Sequence, residues 1–407
     1  MNGIIVQKYG GTSMGDIERI QNVARRVVEH KRTGHHIVVV VSAMGKTTDR
    51  LVEMAMELNP NPSAREMDML LSTGEQVSIS LLAMAIENMG EKAISLTGAQ
   101  CGIKTDAHHK KARIESIETE RILDEFEREH IVIVAGFQGI SDMGDITTLG
   151  RGGSDTTAVA LAAAVKAKKC EIYTDVDGVY TTDPRKVKEA RHLPEISYDE
   201  MLELAKLGAK VLHPRSVELA RKYGVPLVVR SSFNNTEGTR IVEVSELEKV
   251  QVRGVTADPD IARISVAKVP DTPGIAFQLF SQLAENNVHL DMIIQNLNHE
   301  ETNDISFTVP IDDLADAASI ATAFAENIGG GEVIIKKDVS KVSIVGTGIT
   351  GNAYVASTLF GTLSGLGINI EMISTSEIKI SCIIDAGSSD LAVASLHNAF
   401  DLGLGLK

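Results

Sequence analysis

Residues 147–158 (TTLGRGGSDTTA) combine glycine, hydroxyl and charged side chains in a pattern that can bind an anion. Glycines let backbone N–H groups approach a ligand closely, and the residues after them can begin a helix whose N-terminus favours negative charge. Arg151 adds a guanidinium that can grip a carboxylate or a phosphate with two hydrogen bonds. The alternative is a glycine turn before a buried, alanine-rich helix, and this stretch alone leaves the choice open.

A second glycine turn, residues 8–13 (KYGGTS), follows a short apolar strand at 4–7 and precedes a helix that begins at Asp16. Strand, glycine turn and helix in that order present backbone donors to a phosphate. The turn is not a P-loop, because its lysine comes before the glycines. Lys8 is therefore either a phosphate ligand or a solvated charge at the end of a first strand.

The segment 174–185 (TDVDGVYTTDPR) places two acids, a Gly-Val-Tyr turn and Arg185 after another predicted strand. Such a rim suits a ribose or the edge of a purine, with Tyr180 able to pack flat on a base. Asp-Gly and Asp-Pro are also ordinary turn pairs, so a plain turn is the alternative. Farther on, Lys210 can reach a nucleotide phosphate or be solvated.

These motifs follow predicted strands that alternate with predicted helices, which indicates a mainly parallel sheet with helices on both faces. Ligands of such folds bind beyond the carboxyl ends of the strands. The polar loop at 42–48 lies at the same edge. The strand candidates are 4–7, 37–41, 92–96, 131–135, 170–174 and 226–230, and the helix candidates are 65–88, 115–127, 158–166, 198–207 and 216–223.

Gly74 lies inside the helix predicted at 65–88, next to Glu75. A glycine in a helix interior costs about 1 kcal/mol relative to alanine. A close backbone approach, a bound ligand or a break in the helix would each account for it.

Length and composition exclude several classes of protein. A chain of 407 residues predicts two or three domains, and its net charge of -15 argues against a nucleic-acid partner. The three cysteines are isolated and lack metal-ligand spacing, which favours a reducing, cytoplasmic compartment. Neither a signal peptide nor an apolar run of about 18 residues is found, so we expect a soluble protein without a membrane partner.

The C-terminal part contains an internal repeat. Residues 280–293 align with residues 360–373 at an offset of 80, and residues 264–266 align with 342–344 at an offset of 78. This predicts two related β-α-β-β-α repeats. In the first repeat we expect strands at 262–266, 289–295, 305–309 and 332–336 and a helix at 314–325.

The second repeat ends in a helix at 391–400 and lacks a counterpart of the strand at 332–336. We hypothesise that the strand-like residues 250–256 complete it, so that the first repeat is inserted within the second. The composition becomes strongly charged near residue 243. The expected divisions are therefore a catalytic domain at 1–243, a linker and strand at 244–262, and the two repeats at 263–340 and 341–407.

One motif in the second repeat raises the alternative of an NAD site. Residues 346–351 (GTGITG) follow a strand and precede a helix, and Glu371 lies about 20 residues farther on, as in the dinucleotide fingerprint. The repeat lacks the second half of a dinucleotide fold, and its sister loop at 270–274 has the sequence PDTPG. We therefore interpret the motif as a loop of the repeat.

Taken together, these residues resemble the monofunctional bacterial aspartokinase family, in which an amino-acid-kinase domain precedes two ACT regulatory domains. The motifs that carry the resemblance are KYGGTS at 8–13, TLGRGGSD at 148–155, TDVDGVYTTDPR at 174–185 and ISTSE at 373–377. They occur in this order over essentially the whole chain. The resemblance implies an α/β fold with a mainly parallel sheet flanked by helices, followed by two α+β ferredoxin-like ACT domains.

By this resemblance the chain transfers the γ-phosphoryl group of ATP, with Mg²⁺ as cofactor, to the β-carboxylate of L-aspartate. This is the first step towards lysine, threonine and methionine. The acceptor carboxylate is already ionised at pH 7, so catalysis should rest on positioning and charge neutralisation rather than on a strong base.

The resemblance also assigns roles to residues. Lys8 neutralises the transferring phosphoryl group, and Asp155 orients Lys8 and the metal-bound phosphates; no protein metal site is implied. Arg151 and Ser154 hold a substrate carboxylate, and Glu75 holds the α-ammonium group. The ATP-binding set is Lys8, Tyr9, Gly10, Gly11, Thr174, Asp175, Tyr180, Arg185, Lys210 and Val211, and the substrate-binding set is Ser42, Thr47, Glu75, Arg151, Gly152, Gly153 and Ser154.

ACT pairs of this family bind lysine and often threonine between the repeats. The second repeat departs from the family pattern, because Tyr354 stands where the first repeat has Gly274, and a tyrosine can occlude a site that needs bare backbone. Which effectors act, and whether they act together, is left open. The resemblance also implies a homo-oligomer or a complex with a shorter regulatory chain through the ACT domains. The positions that match effector residues are Asp271, Gly274, Gln295, Asn296, Asn369, Thr375 and Glu377.

Two rival functions share these features. Another amino-acid kinase, acting on glutamate or carbamate, would have the same fold and glycine loops. A catalytically silent amino-acid-binding sensor would keep the ACT repeats, but the set of Lys8, Arg151 and Asp155 argues against it.

Overall fold

The computed structural model describes residues 3–209, 211–243, 251–297, 302–329, 331–349 and 351–403. The chain forms two compact units. The N-terminal unit comprises the described parts of residues 1–179, 192–206 and 210–247, and the C-terminal unit comprises those of residues 180–191, 207–209 and 248–407.

Helices and strands alternate through the first 242 residues, as the sequence predicts. In chain order they are β1 (Ile4–Tyr9), α1 (Ile17–Arg32), β2 (His36–Val41), α2 (Thr47–Leu58), α3 (Ala64–Glu87), β3 (Ala93–Leu96), β4 (Ile103–Thr105), β5 (Ile114–Ile117), α4 (Glu120–Glu127), β6 (Ile131–Ala135), β7 (Gln138–Ser141), β8 (Ile146–Thr148), α5 (Gly153–Ala164), β9 (Lys169–Thr174), β10 (Val179–Tyr180), β11 (His192–Leu193), β12 (Glu195–Ser197), α6 (Tyr198–Lys206), α7 (Pro214–Tyr223), β13 (Leu227–Ser231) and β14 (Thr239–Val242).

An eight-stranded sheet forms the centre of the N-terminal unit, in the order β12-β14-β13-β9-β1-β2-β6-β3. The strands are parallel except where β13 meets β14, which confirms the predicted fold class. β1 lies between β9 and β2, so Lys8 pairs with Ile172 on one side and Val40 on the other. β2 and β6 are buried apolar runs, as expected of strands covered on both faces. Helices α1 and α3 cover one face, and α5 packs against β1, β2 and β9.

Helix α3 continues through Gly74 without a break. A Cβ at Gly74 would lie 2.8 Å from the Cβ of Ala43, so the glycine is explained by a close approach of the loop after β2. The alternative of a helix break is wrong. α3 is also long and apolar enough to cross a membrane by length and composition alone. Its apolar side chains, including Leu82 and Ile86, pack in the core against α1 and the sheet.

The structure corrects several predicted boundaries. Residues 115–127 are not one helix, because the alternating residues of β5 pair with β4 before α4 begins. α5 begins at Gly153 rather than at 158, since Gly152 caps it in a left-handed conformation. The strand predicted at 289–295 begins at Ile293, because the backbone N–H of His289 donates to Asp313 instead of to a ladder. The small sheet β5-β4-β7-β8 was not predicted.

The C-terminal unit contains both repeats. Its elements are β15 (Gln251–Asp258), β16 (Ile261–Pro270), α8 (Ile275–Glu285), β17 (Ile293–Leu297), β18 (Thr302–Pro310), α9 (Leu314–Asn327), β19 (Glu332–Lys336), β20 (Val339–Thr347), α10 (Ala353–Gly365), β21 (Met372–Ser376), β22 (Lys379–Asp385) and α11 (Ser389–Ala399).

Each repeat forms a four-stranded antiparallel sheet. The orders are β19-β16-β18-β17 and β15-β20-β22-β21, so β15 has the place in the second sheet that β19 has in the first. This is the pairing that insertion of the first repeat within the second requires.

The segment 180–191 belongs to the C-terminal unit, although the eight-stranded sheet continues after it. Val187 lies in the core of the second repeat. The carbonyl of Thr181 accepts a hydrogen bond from the N–H of Val255 (2.8 Å), and its hydroxyl lies 2.9 Å from Nε2 of the buried His397. The segment is therefore anchored by side chains far along the chain.

Two ion pairs join the repeats reciprocally. Arg263 in the first repeat contacts Glu371 in the second (2.8 Å), and Lys341 in the second contacts Asp291 in the first (2.5 Å). Lys341 is Arg263 shifted by 78 residues, and Asp291 is Glu371 shifted by 80, the offsets of the repeat itself. The repeats therefore pack with approximate two-fold symmetry. A shared apolar cluster supports this, formed by Ile261, Met292, Val339, Met372 and Ile383.

We predict that Lys341→Met destabilises the C-terminal unit. Lys341 is only 3% exposed, and its removal leaves the carboxylates of Asp291 and Asp258 without their shared cation. Because Asp291 is one-third exposed, we expect a loss of about 1–3 kcal/mol in the free energy of unfolding, less than for a fully buried pair. Urea denaturation would measure it. Lys336→Met is the control, since Lys336 is half exposed. An equal loss in both variants would contradict the prediction.

Candidate active site

Lys8 and Asp155 form an ion pair at the carboxyl edge of the eight-stranded sheet. The Nζ of Lys8 lies 2.7 Å from Oδ1 of Asp155, and both side chains are mostly buried. Because side chains alternate along a strand, Lys8 points to the face covered by α5, opposite to its neighbours Gln7 and Tyr9. Asp155 lies in the first turn of α5, where a carboxylate is favoured by the helix dipole. The pair places a held ammonium group beside a helix N-terminus.

The glycine turn after β1 packs against the loop after β2. A Cβ at Gly11 would lie 3.0 Å from the carbonyl oxygen of Ala43, and the N–H of Gly45 donates to the carbonyl of Gly11 (3.0 Å). The N–H of Ser42 donates to the carbonyl of Tyr9 (3.1 Å). This brings the loop that carries Ser42 and the start of α2 at Thr47 next to the turn of Lys8.

Glu75 is a buried carboxyl group on α3 beside the same loop. Its Oε1 accepts a hydrogen bond from the N–H of Ala43 (3.1 Å), while its buried Oε2 has no hydrogen-bond partner within the described part of the chain. Burial raises the pKa of Glu75 to about 7, and the backbone hydrogen bonds lower it only in part. A cationic group would satisfy the second oxygen and favour the ionised form.

The glycines of residues 150–153 are tightly packed. Gly150 and Gly152 have positive φ angles of 77° and 67°. A Cβ at Gly150 would lie 2.8 Å from the carbonyl oxygen of Lys110, and one at Gly152 would overlap the ring of His213. These glycines are thus required by the protein's own packing, whether or not a ligand approaches them. Between them, Arg151 is exposed.

Ser154 follows at the start of α5. It is buried, and a Cβ at Gly136 would lie 2.7 Å from its Oγ, so the loop after β6 packs directly against it. The next glycine, Gly153, packs against Phe137 of that loop in the same way. The start of α5 is therefore fixed by the end of β6.

The predicted nucleotide residues fall in different parts of the chain. Thr174 ends β9, and its carbonyl accepts hydrogen bonds from the N–H and the hydroxyl of Ser232. Asp175 follows it, and Val211 also belongs to the N-terminal unit.

Two other predicted nucleotide residues, Tyr180 and Arg185, belong to the C-terminal unit. Both nitrogens of the Arg185 fork contact Asp183 at 2.9–3.0 Å, which lowers the pKa of that carboxyl group. Lys210 lies outside the described residues.

The predicted effector residues are all exposed. Gly274 has a φ of 91° and caps α8, with open space where a Cβ would be. Asp271 accepts a hydrogen bond from Asn303 (2.9 Å). Tyr354 is 76% exposed at the start of α10. Of the others, Gln295 and Asn296 lie on β17, Thr375 lies on the equivalent edge strand β21, and Asn369 and Glu377 lie beside β21.

Sequence analysis missed three groups that hold the loops of this site. Asp68 on α3 is fully buried, and Arg215 and His213 at the start of α7 contact residues 149–152. One signal was available, because Asp68, Ser72 and Glu75 are spaced to share one face of an otherwise apolar helix.

Comparison with known protein families gives two matches. The model of the amino acid kinase family matches residues 3–231, and a model of the ACT domain matches residues 264–323 and 342–400. An aspartokinase of Geobacillus stearothermophilus is 54% identical over 401 residues, which cover 98% of each chain. Aspartokinase 2 of Bacillus subtilis is 51% identical over the same share of both chains.

Solved structures agree with these matches. The aspartate kinase of Synechocystis is 48% identical and has a TM-score of 0.56, covering 99% of this chain and 70% of that one. Escherichia coli aspartokinase III in complex with aspartate and ADP has a TM-score of 0.83 over 98% of this chain and 100% of that one. At 24% identity, the latter is a likeness of fold.

We predict that Glu75→Gln stabilises the ligand-free protein in a pH-dependent manner. The pKa of Glu75 is about 7 in the folded protein against 4.5 for the free side chain, so ionising it opposes folding. The destabilisation is absent below pH 4.5, grows up to pH 7 and is complete above it. The gain should therefore be small at pH 5 and reach up to about 3 kcal/mol at pH 8.

Urea denaturation at pH 5 and pH 8 would measure this gain. Glu87→Gln, at the exposed end of the same helix, is the control. A gain of equal size at both pH values would show that burial of the Glu75 charge is not its cause.

Proposed function

Since this chain belongs to the aspartokinase family, in which an amino-acid-kinase domain is joined to ACT domains, we propose that its catalytic machinery is centred on Lys8 and Asp155. The enzyme is an aspartate kinase: it uses ATP to phosphorylate the β-carboxylate of L-aspartate, giving 4-phospho-L-aspartate. Relatives named aspartokinase at 51–54% identity over nearly the whole chain set aside the rival kinases and the silent sensor. The observation that carries the machinery is the 2.7 Å ion pair at the start of α5.

In the proposed mechanism, a β-carboxylate oxygen of aspartate attacks the γ-phosphorus of ATP, and the bond to the β–γ bridging oxygen breaks to release ADP. No proton has to be removed, because the carboxylate is ionised at neutral pH. Lys8 neutralises charge on the phosphoryl group, and Asp155 keeps its ammonium in place. Gly10 and Gly11 leave the backbone of the turn open to phosphate oxygens.

The amino acid is held by opposite charges in this proposal. Glu75 binds the α-ammonium group, because a cation satisfies its unpartnered Oε2. Arg151 and Ser154 bind a carboxylate, and Ser42 and Thr47 contact a further substrate oxygen, with Gly152 and Gly153 lining the site. A substrate with one cation and two anions matches this arrangement of one acid and two bases, Arg151 and Lys8.

A magnesium ion fits the donor set. Asp155 offers a carboxylate, and Mg²⁺ in nucleotide enzymes takes one or two protein carboxylates and completes its shell with phosphate oxygens and water. Asp155 would hold the ion together with the nucleotide, and the ion would neutralise phosphate charge. We propose that Tyr9, Thr174, Asp175, Tyr180, Arg185, Lys210 and Val211 bind the nucleotide with Lys8 and the glycine turn.

Further proposals concern regulation and location. We propose residues 1–243 as the catalytic domain, 244–262 as linker and completing strand, and 263–340 and 341–407 as the ACT domains. Lysine, threonine or both are proposed to inhibit through the exposed effector set, and the ACT domains to form a homo-oligomer or bind a shorter regulatory chain. A cytoplasmic location agrees with three buried, free cysteines.

We predict that Lys8→Ala and Arg151→Ala separate chemistry from binding. Lys8→Ala should lower kcat about 100-fold or more, as expected when a charge that stabilises the transition state is lost. Arg151→Ala should mainly raise KM for aspartate, about tenfold or more, because a charged hydrogen bond is lost. Steady-state kinetics with both substrates varied would measure these effects, with Lys31→Ala on α1 as the control. Wild-type kinetics of Lys8→Ala would refute its role.

We predict that aspartate kinase activity falls in the presence of lysine, threonine or both. Asn296→Ala, on the edge strand β17, should raise the concentration needed for half-inhibition, because it removes an amide from the effector set. Asn286→Ala, at the end of α8, is the control. Activity assays with each amino acid and with both together would test this. Full activity under all three conditions would refute feedback control by these two effectors.

A further inference from the structure

Asp68 is a buried charged residue that the mechanism above does not use. It lies on α3, is fully buried and accepts hydrogen bonds from three residues. The hydroxyl of Thr148 donates to Oδ1 (2.5 Å), and the N–H of Lys110 lies 3.1 Å from both oxygens. Nδ1 of His109 lies 2.7 Å from Oδ2. A carboxylate taken out of water needs such partners, and here all of them come from two loops.

These two loops hold the residues before Arg151. Thr148 ends β8, and only Leu149 and Gly150 separate it from Arg151. The carbonyl of Thr148 accepts a hydrogen bond from the N–H of Ala112 (2.9 Å), and the carbonyl of Lys110 packs directly against Gly150. Asp68 therefore ties both loops to α3 immediately before the exposed arginine.

The opposite side of the same loop is held by α7. The two terminal nitrogens of Arg215 donate to the carbonyls of Leu149 and Ala112, each at 3.0 Å. The ring of His213 packs on Gly152, so Arg151 is flanked on both sides by fixed backbone. Its side chain is exposed, but its starting point has little freedom.

Helix α3 also carries Glu75. Seven residues separate it from Asp68, which corresponds to two helical turns, about 10 Å along one face of the helix. Both side chains are buried on that face. One rigid helix thus bears the proposed ligand of the ammonium group and the anchor of the loop that bears the proposed ligand of the carboxylate.

We propose that Asp68 is a positioning residue for the amino-acid substrate: by holding Thr148 and residues 109–110 on α3, it fixes Arg151 relative to Glu75. Arg215 supports the same loop from the other side. This inference rests on the proposed roles of Arg151 and Glu75. Asp68 itself does not touch the substrate, and its effect is on the geometry in which aspartate is bound.

Asp68→Asn is the first test. The amide keeps the volume and one acceptor oxygen, but its NH₂ group would face the N–H of Lys110 or the ring nitrogen of His109. Loss of a buried, charged hydrogen bond should raise KM for aspartate about tenfold. KM for ATP should stay within about twofold, because Lys8 and the glycine turn are not held by these contacts.

A second pair of variants guards against a general loss of folding. Thr148→Val removes only the hydroxyl that Asp68 accepts, and Thr148→Ser keeps it. We expect a raised KM for aspartate in the valine variant and a value near wild type in the serine variant. Thermal unfolding of each variant confirms that it is folded at the assay temperature.

Glu125→Gln is the matched control. Glu125 is also a fully buried acid on a helix, α4, with a histidine partner at 2.6 Å, but it contacts His130, Arg121 and Arg128 rather than the substrate loops. It should leave the ratio of the two KM values unchanged. The proposal is overturned if Asp68→Asn and Thr148→Val leave KM for aspartate unchanged, or raise both KM values as Glu125→Gln does.

Arg151→Ala in the same assay separates the two levels of inference. If it raises KM for aspartate and the Asp68 and Thr148 variants do not, the positioning role alone is wrong. If Arg151→Ala itself leaves KM for aspartate unchanged, the proposed substrate role fails, and the positioning role fails with it.

Discussion

The repulsion between two anions is the constraint on which this site depends. A carboxylate has to reach the terminal phosphate of ATP, and on an acidic chain of net charge -15 the protein at large offers no help. Positive charge therefore has to be concentrated where the anions meet. Lys8 provides it from the middle strand of the sheet, where pairing on both sides fixes its backbone, and Asp155 fixes its ammonium at the start of α5. The helix N-terminus adds partial positive charge without a mobile side chain.

Much of this fold could be predicted from the sequence. The β-branched runs of β2 and β6, the cap at Asp16 and the repeat offsets of 78 and 80 are local signals, and the elements they predict are confirmed. The errors have a common cause. The helix predicted at 115–127 was wrong because Ile114 and Ile117 belong to a strand whose partner, β4, could not be inferred from residues three or four apart. Short strands depend on their partners more than on their own composition.

The candidate site divides in the same way. Lys8, Arg151 and Asp155 lie in motifs, so sequence alone could single them out. Asp68, Arg215 and His213 lie outside these motifs and act through backbone groups of other segments, so only the folded chain relates them to the site. The structure also changes the explanation of the glycines at 150 and 152. Their side chains are excluded by Lys110 and His213, which are parts of the protein rather than a ligand.

The anchoring of residues 180–191 limits how this chain can be divided. Val187 completes the core of the second repeat from a position in the chain about 60 residues before that repeat's first strand, and Thr181 lies beside His397 near the other end. A gene fragment that stops at residue 243 would leave this segment's apolar side chain in water, and a fragment that starts at 248 would leave a gap in a packed core. The two units are therefore interleaved along the gene, so transplanting the regulatory part onto another kinase requires moving the inner segment as well as the C-terminal half.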